Sequence, residues 1–189
     1  VDRDLTELVV CKKSADQRVA GGSVPLYAAR YVDPNKKHGP IYRANVWFGR
    51  TSAGRFLGRH LSPRVDPWVS RLTDGRGLGS IVNAPLITTG AKSSQPRQVQ
   101  LSYFYDGRDP ILIASNRAEP KHPQWYFNLK AHAECQFGGD HFVATEVTDP
   151  AEYTPLFALA EKIFAGYGDY RAKTASMGRQ IPVIRLKPR

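Results

Sequence analysis

Only two cysteines, Cys11 and Cys135, occur in the 189 residues. They are too few for a disulfide framework and have no metal-site spacing, so a reducing compartment is expected and the thiols read as incidental. No apolar run approaches the roughly 18 residues of a membrane span, and no charged-then-apolar leader opens the chain, which predicts a cytoplasmic protein. The histidines at 38, 60, 122, 132 and 141 lack zinc-ligand spacing. Ser115 and His122 have no elbow glycines around the serine and no third partner placed by a motif, which argues against a hydrolase. Gly75-Arg76-Gly77-Leu78-Gly79 has Ser80 where a dinucleotide fingerprint carries its third glycine, and no strand precedes it, so it reads as a flexible turn. No recognised nucleic-acid-binding module is present.

Acidic residues are scarce too. Seventeen Asp and Glu face 27 Lys and Arg, for a net charge of +10. Such an excess calls for a partner of opposite sign: nucleic acid, an anionic membrane surface or a phosphorylated small molecule. The imbalance is local. Lys36 to Arg64 holds seven basic residues and no acidic one, whereas 14 basic residues face 10 acidic ones from Arg76 onward. In the basic stretch Val46, Trp47, Phe48, Phe56 and Leu57 interleave with Arg50, Arg55 and Arg59. This pattern suits either docking on the rest of the protein or lying on an acidic bilayer.

The length fits one domain with an extension. Residues 1–44 lack periodicity and are expected to be largely disordered or loosely attached; 45–75 form a basic amphipathic helical segment; 76–189 carry the folded domain. Asp66-Pro67-Trp68 predicts a helix start, Asp capping and Pro at the first turn, with the end near Gly75. Strands are predicted at Ala84–Thr88, Val99–Tyr105, Ile111–Ala114, Glu134–Phe137, His141–Val147 and Ile181–Leu186, the last with Pro182 at its edge. Gly138-Gly139-Asp140 makes a tight hairpin turn, and a five-residue turn, Asp106 to Pro110, joins the second and third strands. Helices are predicted from Pro123 to Ala131, from the Asp149-Pro150 cap with Glu152 behind it to Phe164, and from Tyr167 to Met177. The fold class is α+β, a small barrel of about six mainly antiparallel strands with short peripheral helices.

Two polar loops hold the chemistry. Gly90-Ala91-Lys92-Ser93-Ser94-Gln95-Pro96-Arg97 places two hydroxyls, an ammonium and a guanidinium between two strands, an anion nest suited to phosphate or carboxylate. It is not a nucleotide P-loop, because a strand and not a helix follows. Alone, the loop is also readable as a plain solvated turn. The second loop, Ala114 to Tyr126, adds Asn116, Arg117 and Lys121 for the same anion, while Trp125 and Tyr126 can wall a planar ring. Two cationic loops beside an aromatic wall favour a phosphorylated planar ligand.

At these loops the chain resembles the deazaflavin-dependent nitroreductase family of mycobacteria and related actinobacteria, split β-barrels that use reduced coenzyme F420. The resemblance runs through RLTDGRGLG, PLITTGAKSSQPR, the strand ending in ASN, KHPQWYFNL, VTDPAE, GYGDY and IPVIRLKPR. It implies that Lys92, Ser93, Gln95 and Arg97 hold the phosphate and polyglutamate tail of the cofactor. Asn116 and Arg117, read from the second loop itself, are expected to add to that grip; by the resemblance, Asn128 is the Asn of an Asn-Leu pair near the cofactor and Trp125 is the packing tryptophan. Ser115, Tyr167 and Tyr170 are the implied groups at the reacting substrate. The chain departs from the family at Ala91, usually Arg, at Ser94, usually Gly, and at Phe164, where another member has Tyr; Arg117 is a candidate replacement for the missing cation.

The implied activity is hydride transfer from reduced coenzyme F420 to a quinone, an activated enoate or a nitroaromatic. A quinone acceptor would fit residues 36–64 resting on an anionic membrane, at the inner face of the cell membrane. Two alternatives stay open: a non-catalytic protein sequestering F420 or a lipid-like ligand, and an oxidoreductase using flavin mononucleotide on the same barrel.

Overall fold

Strict alternation of side chains decides the architecture. A computed structural model describes residues 29–35, 39–40, 44, 47–48, 51, 54, 56 and 82–189. The helix expected at Asp66, the Gly75–Gly79 turn and most of the 1–44 and 45–75 regions lie outside the described residues. Strands β1 (Asn83–Thr89), β2 (Pro96–Asp106), β3 (Asp109–Ile113), β4 (Glu134–Phe137), β5 (Asp140–Glu146) and β6 (Val183–Pro188) close into an antiparallel barrel in the order β1-β2-β3-β6-β5-β4. Closure comes from β4 returning to β1, with Leu86 opposite Phe137. Three helices are set around it: α1 (Gln124–Ala131), α2 (Pro150–Ile163) and α3 (Gly166–Ala175). The expected α+β split barrel is therefore present.

Along β2, β3 and β6, successive residues go to opposite faces. Tyr103, Leu112, Ile184 and Leu186 point inward with Leu86, Phe137 and Phe142, and Trp125 and Leu129 of α1 join this inner core. Phe104, Ile111, Ile113 and Val183 point outward and are covered by Leu156, Phe157, Ala160 and Ile163 of α2 and Tyr167 of α3. β3 is thus buried on both sides, which is why its sequence reads as an unbroken apolar run. Burying a side chain such as Phe157 contributes about 2–3 kcal/mol.

Local chemistry sets the joints. Gly138 and Gly139 take positive φ values of 58° and 95°, as the two-residue hairpin between β4 and β5 requires. A side chain at Gly138 would also strike Ala29. Asp149 Oδ1 accepts from the Ala151 N–H at 2.9 Å and Pro150 opens α2, matching the expected cap. The β2–β3 turn is shorter than expected: Asp106 pairs with Asp109, and Pro110 lies within β3. Pro110 is tolerated because its partner Tyr105 turns its N–H away from β3, to Val32 O at 3.1 Å. Arg185 ties this turn to α2, with Asp106 at 2.7 Å, Asp109 at 3.1 Å and Glu152 at 2.7 Å.

Within the extension expected to be loose, residues 29–35 are docked on the barrel. Tyr103 Oη donates to Arg30 O at 2.7 Å, and Lys162 Nζ donates to Asn35 Oδ1 at 2.9 Å.

Candidate active site

The loop between β1 and β2 is held in one shape from both inside and outside. Within it, Gly90 N–H donates to Gln95 O and Ser94 N–H to Gly90 O, both at 2.9 Å. A Cβ at Gly90 would sit 2.5 Å from Ser93 Oγ and 3.2 Å from Gln95 O, so a larger residue would displace the Ser93 hydroxyl. Ser94 has φ of 52°, a left-handed conformation that favours glycine, which explains the glycine usual at this position in the resembled family. From outside, Asn128 on α1 fastens the loop: its Oδ1 accepts from Ala91 N–H at 3.1 Å and its Nδ2 donates to Thr88 Oγ1 at 3.0 Å.

The loop, the start of β2 and the start of α1 enclose a cleft of about 680 Å³. Its described lining includes Lys92, Ser93, Arg97, Asn116, Trp125 and Asn128, so six of the expected cofactor residues come together. Thr88, Gln98, His122 and Gln124 also line it, and no carboxylate does among the described residues. The amides of Lys92 and Ser93 donate to no acceptor among the described residues, and Gln98 Nε2 is buried without a partner. Two cations, a hydroxyl, spare amides and an orphaned buried donor, with Trp125 as an apolar wall, are the donor set that an anionic cofactor with a flat ring requires. The residues present fit coenzyme F420.

Other expected site residues lie elsewhere. Gln95 is exposed, and its backbone, not its side chain, shapes the loop. Ser115 is half-buried just outside the described lining, where the chain enters a 3-10 turn (Asn116–Ala118) whose residues all have positive φ. Arg117 faces α3, close enough to Tyr170 to act on its phenol electrostatically. Tyr167 is buried in the outer core against Phe157, Phe164 and Tyr170, and burial pushes its phenol well above the usual range. Tyr170 is half-buried in the same aromatic group, also shifted upward by burial. Neither tyrosine is among the described lining of the cleft.

A second cavity of about 530 Å³ lies beside the first and shares His122 with it. Arg179 lines it, only 8% exposed, and makes no ion pair among the described residues. Its Nη2 donates to Ser115 O and its Nη1 contacts His122 Nδ1 at 3.0 Å. Burial, then the Arg179 charge, holds the His122 imidazole below its ordinary pKa, against a smaller upward pull from Glu146. Glu146 is itself engaged, accepting from Tyr126 Oη at 3.1 Å and from Lys130 Nζ at 3.0 Å. Sequence reasoning passed over Gln98 and Arg179, for which no local motif speaks. It weighed His122 only as a zinc ligand and as a hydrolase base, and set both aside.

Residues 62–188 match the family described as F420H(2)-dependent quinone reductase. An F420H(2)-dependent quinone reductase of Mycobacterium tuberculosis is 36% identical over 149 residues, spanning 71% of this chain and 97% of that protein. A solved F420-H2 dependent reductase is 33% identical, covering 55% of this chain and 91% of that one, with a TM-score of 0.47. A solved domain-swapped dimer is 30% identical, covering 64% and 97%, with a TM-score of 0.50. The chain belongs to the F420H(2)-dependent quinone reductase family.

Proposed function

We propose that this protein transfers a hydride from reduced coenzyme F420 to a quinone. The observation that carries the reading is a cleft whose described lining holds Lys92 and Arg97 but no carboxylate, beside the Trp125 wall, in a chain of this family. When bound, the cofactor supplies the hydride; the protein supplies grip, alignment and polar contacts. Lys92, Ser93, Arg97 and the unpaired loop amides hold the anionic tail. Asn128 keeps the loop in register, and Gln98 offers its buried amide to a polar edge of the ligand. Ser115 and Tyr170 serve the acceptor side from either side of the 3-10 turn. Tyr167, buried where Tyr170 is only half-buried, supports Tyr170 from within the outer core by packing against its ring.

The test is reoxidation of reduced F420 by menadione, followed by absorbance, with an enoate and a nitroaromatic as parallel acceptors and flavin mononucleotide as a competing ligand. Turnover with menadione is expected. Binding without reoxidation by any acceptor would favour the sequestering role, and preference for the flavin would sink the cofactor assignment.

The same reading extends to where the acceptor is met. No helix among the described residues is long and apolar enough to cross a membrane. In the basic 36–64 stretch Trp47 is 71% and Phe56 66% exposed, which suits peripheral contact with an anionic bilayer holding a lipid-soluble quinone. Such contact places the protein at the inner face of the cell membrane. Co-sedimentation with anionic liposomes should fall in a Trp47→Ser, Phe56→Ser double variant; equal pelleting rejects the contact.

A further inference from the structure

His122 stands at the partition between the two cavities, and one hydrogen bond fixes its chemistry. A guanidinium has donors and no acceptor, so the 3.0 Å contact between Arg179 Nη1 and His122 Nδ1 requires Nδ1 to accept. The proton of the neutral ring must then sit on Nε2. Arg179 lines only the second cavity, whereas His122 lines both. With Nδ1 engaged by Arg179, which lines the second cavity, Nε2–H is the donor that His122 has left for the cleft it also lines.

We propose that His122 donates a hydrogen bond from Nε2–H to the carbonyl oxygen of the quinone, and that Arg179 is the positioning residue that locks this tautomer. The proposal rests on the quinone-reductase reading and deepens it. Hydride addition to a quinone drives negative charge onto oxygen, and a donor already aimed at that atom lowers the barrier without reorganising. No proton is transferred in this step; the imidazole stays neutral throughout. The charged and titratable groups around the ring are compatible with that state. Arg179 opposes a second positive charge and outweighs Glu146, which is ion-paired with Lys130 and accepts from Tyr126 Oη, and Tyr126 packs its ring 4.9 Å from the imidazole. Arg179 also holds Ser115 O, so one side chain sets both His122 and the turn that carries Ser115.

Two-bond proton–nitrogen correlation spectra of the full-length labelled protein, recorded from about pH 5 to 8, read the tautomer directly. His122 should show the Nε2–H pattern and protonate at lower pH than a free histidine. Arg179→Met should release Nδ1, mix the tautomers and raise the titration midpoint. In menadione turnover, His122→Phe should lower kcat about tenfold or more, with the KM for reduced F420 within about twofold, and His122→Gln should recover part of the loss. An Nδ1–H tautomer in the wild-type protein, or a kcat for His122→Phe within about twofold of wild type, overturns the proposal. Wild-type protein that shows the Nε2–H pattern yet leaves reduced F420 unoxidised by menadione overturns the quinone reading and the proposal with it.

Discussion

Replacing Asn128 with alanine should both soften the protein and loosen its cofactor loop. The side chain is 2% exposed and makes two short hydrogen bonds, to Thr88 Oγ1 and from Ala91 N–H; its 3.5 Å contact with Gln124 is too long to add much. A buried polar group left without a partner costs about 1–3 kcal/mol. Thr88 keeps only a 3.4 Å contact to Arg97 O, while Ala91 lies on the cleft wall, where water can reach it. The combined loss is about 2–3 kcal/mol, or about 5–10 °C in Tm for a chain of this size. Thr88→Val separates the two roles: it removes the hydroxyl but leaves the Ala91 anchor, so it should cost about 1–2 kcal/mol while cofactor affinity stays within about twofold. Asn128→Ala should weaken affinity about tenfold, because the loop must be ordered on binding. Thermal melts and fluorescence titration with F420 measure both quantities. If Asn128→Ala melts with wild type, or binds no worse than Thr88→Val, the loop is not held as described.

Ser94→Gly should raise stability by about 0.5–1 kcal/mol, seen as a higher urea midpoint, since it removes a left-handed strain that glycine does not feel; a lower midpoint refutes the assignment of strain. Cys135 is buried, and burial pushes its thiol up to about 12, so it should resist iodoacetamide at about pH 8 in the native protein and react after unfolding. Peptide mapping that finds native Cys135 alkylated contradicts its place in the inner core. Because the folded pKa of His122 lies below its unfolded value of 6.5, the unfolded state binds more protons as pH falls below that value. The contribution of this residue to stability is therefore complete above pH 6.5 and is lost as pH drops through the folded pKa. Urea unfolding of wild type against His122→Gln should show their difference shrinking on acidification, and a constant difference contradicts the burial of the neutral ring.

Much of the barrel was legible because its signals are local. Glu134–Phe137 is found with the expected bounds, and the Gly138-Gly139 turn and the Asp149-Pro150 cap each act through a few adjacent residues. The third strand begins two residues earlier than expected because Pro110 reads as a breaker, and only the direction of the Tyr105 N–H shows that its missing donor costs nothing. In the site, the Lys92 to Arg97 loop was visible from composition. The Asn128 fastening spans 37 residues and the His122–Arg179 contact 57, and no spacing rule links positions so far apart. Tyr167 shows the opposite difficulty: an aromatic beside glycines reads equally as pocket or core, and here it packs in the core.

Closure of the sheet has a consequence for association between copies. Each strand of the barrel has a neighbour on both sides over part of its length, but Pro96–Ser102 of β2 pairs with β1 alone among the described strands. Self-assembly by edge-to-edge pairing, the usual route by which β proteins aggregate, is thereby confined in the folded barrel to that short row. Elsewhere two copies can meet through side chains on outer surfaces or by exchanging whole elements, and the second route requires the barrel to open first.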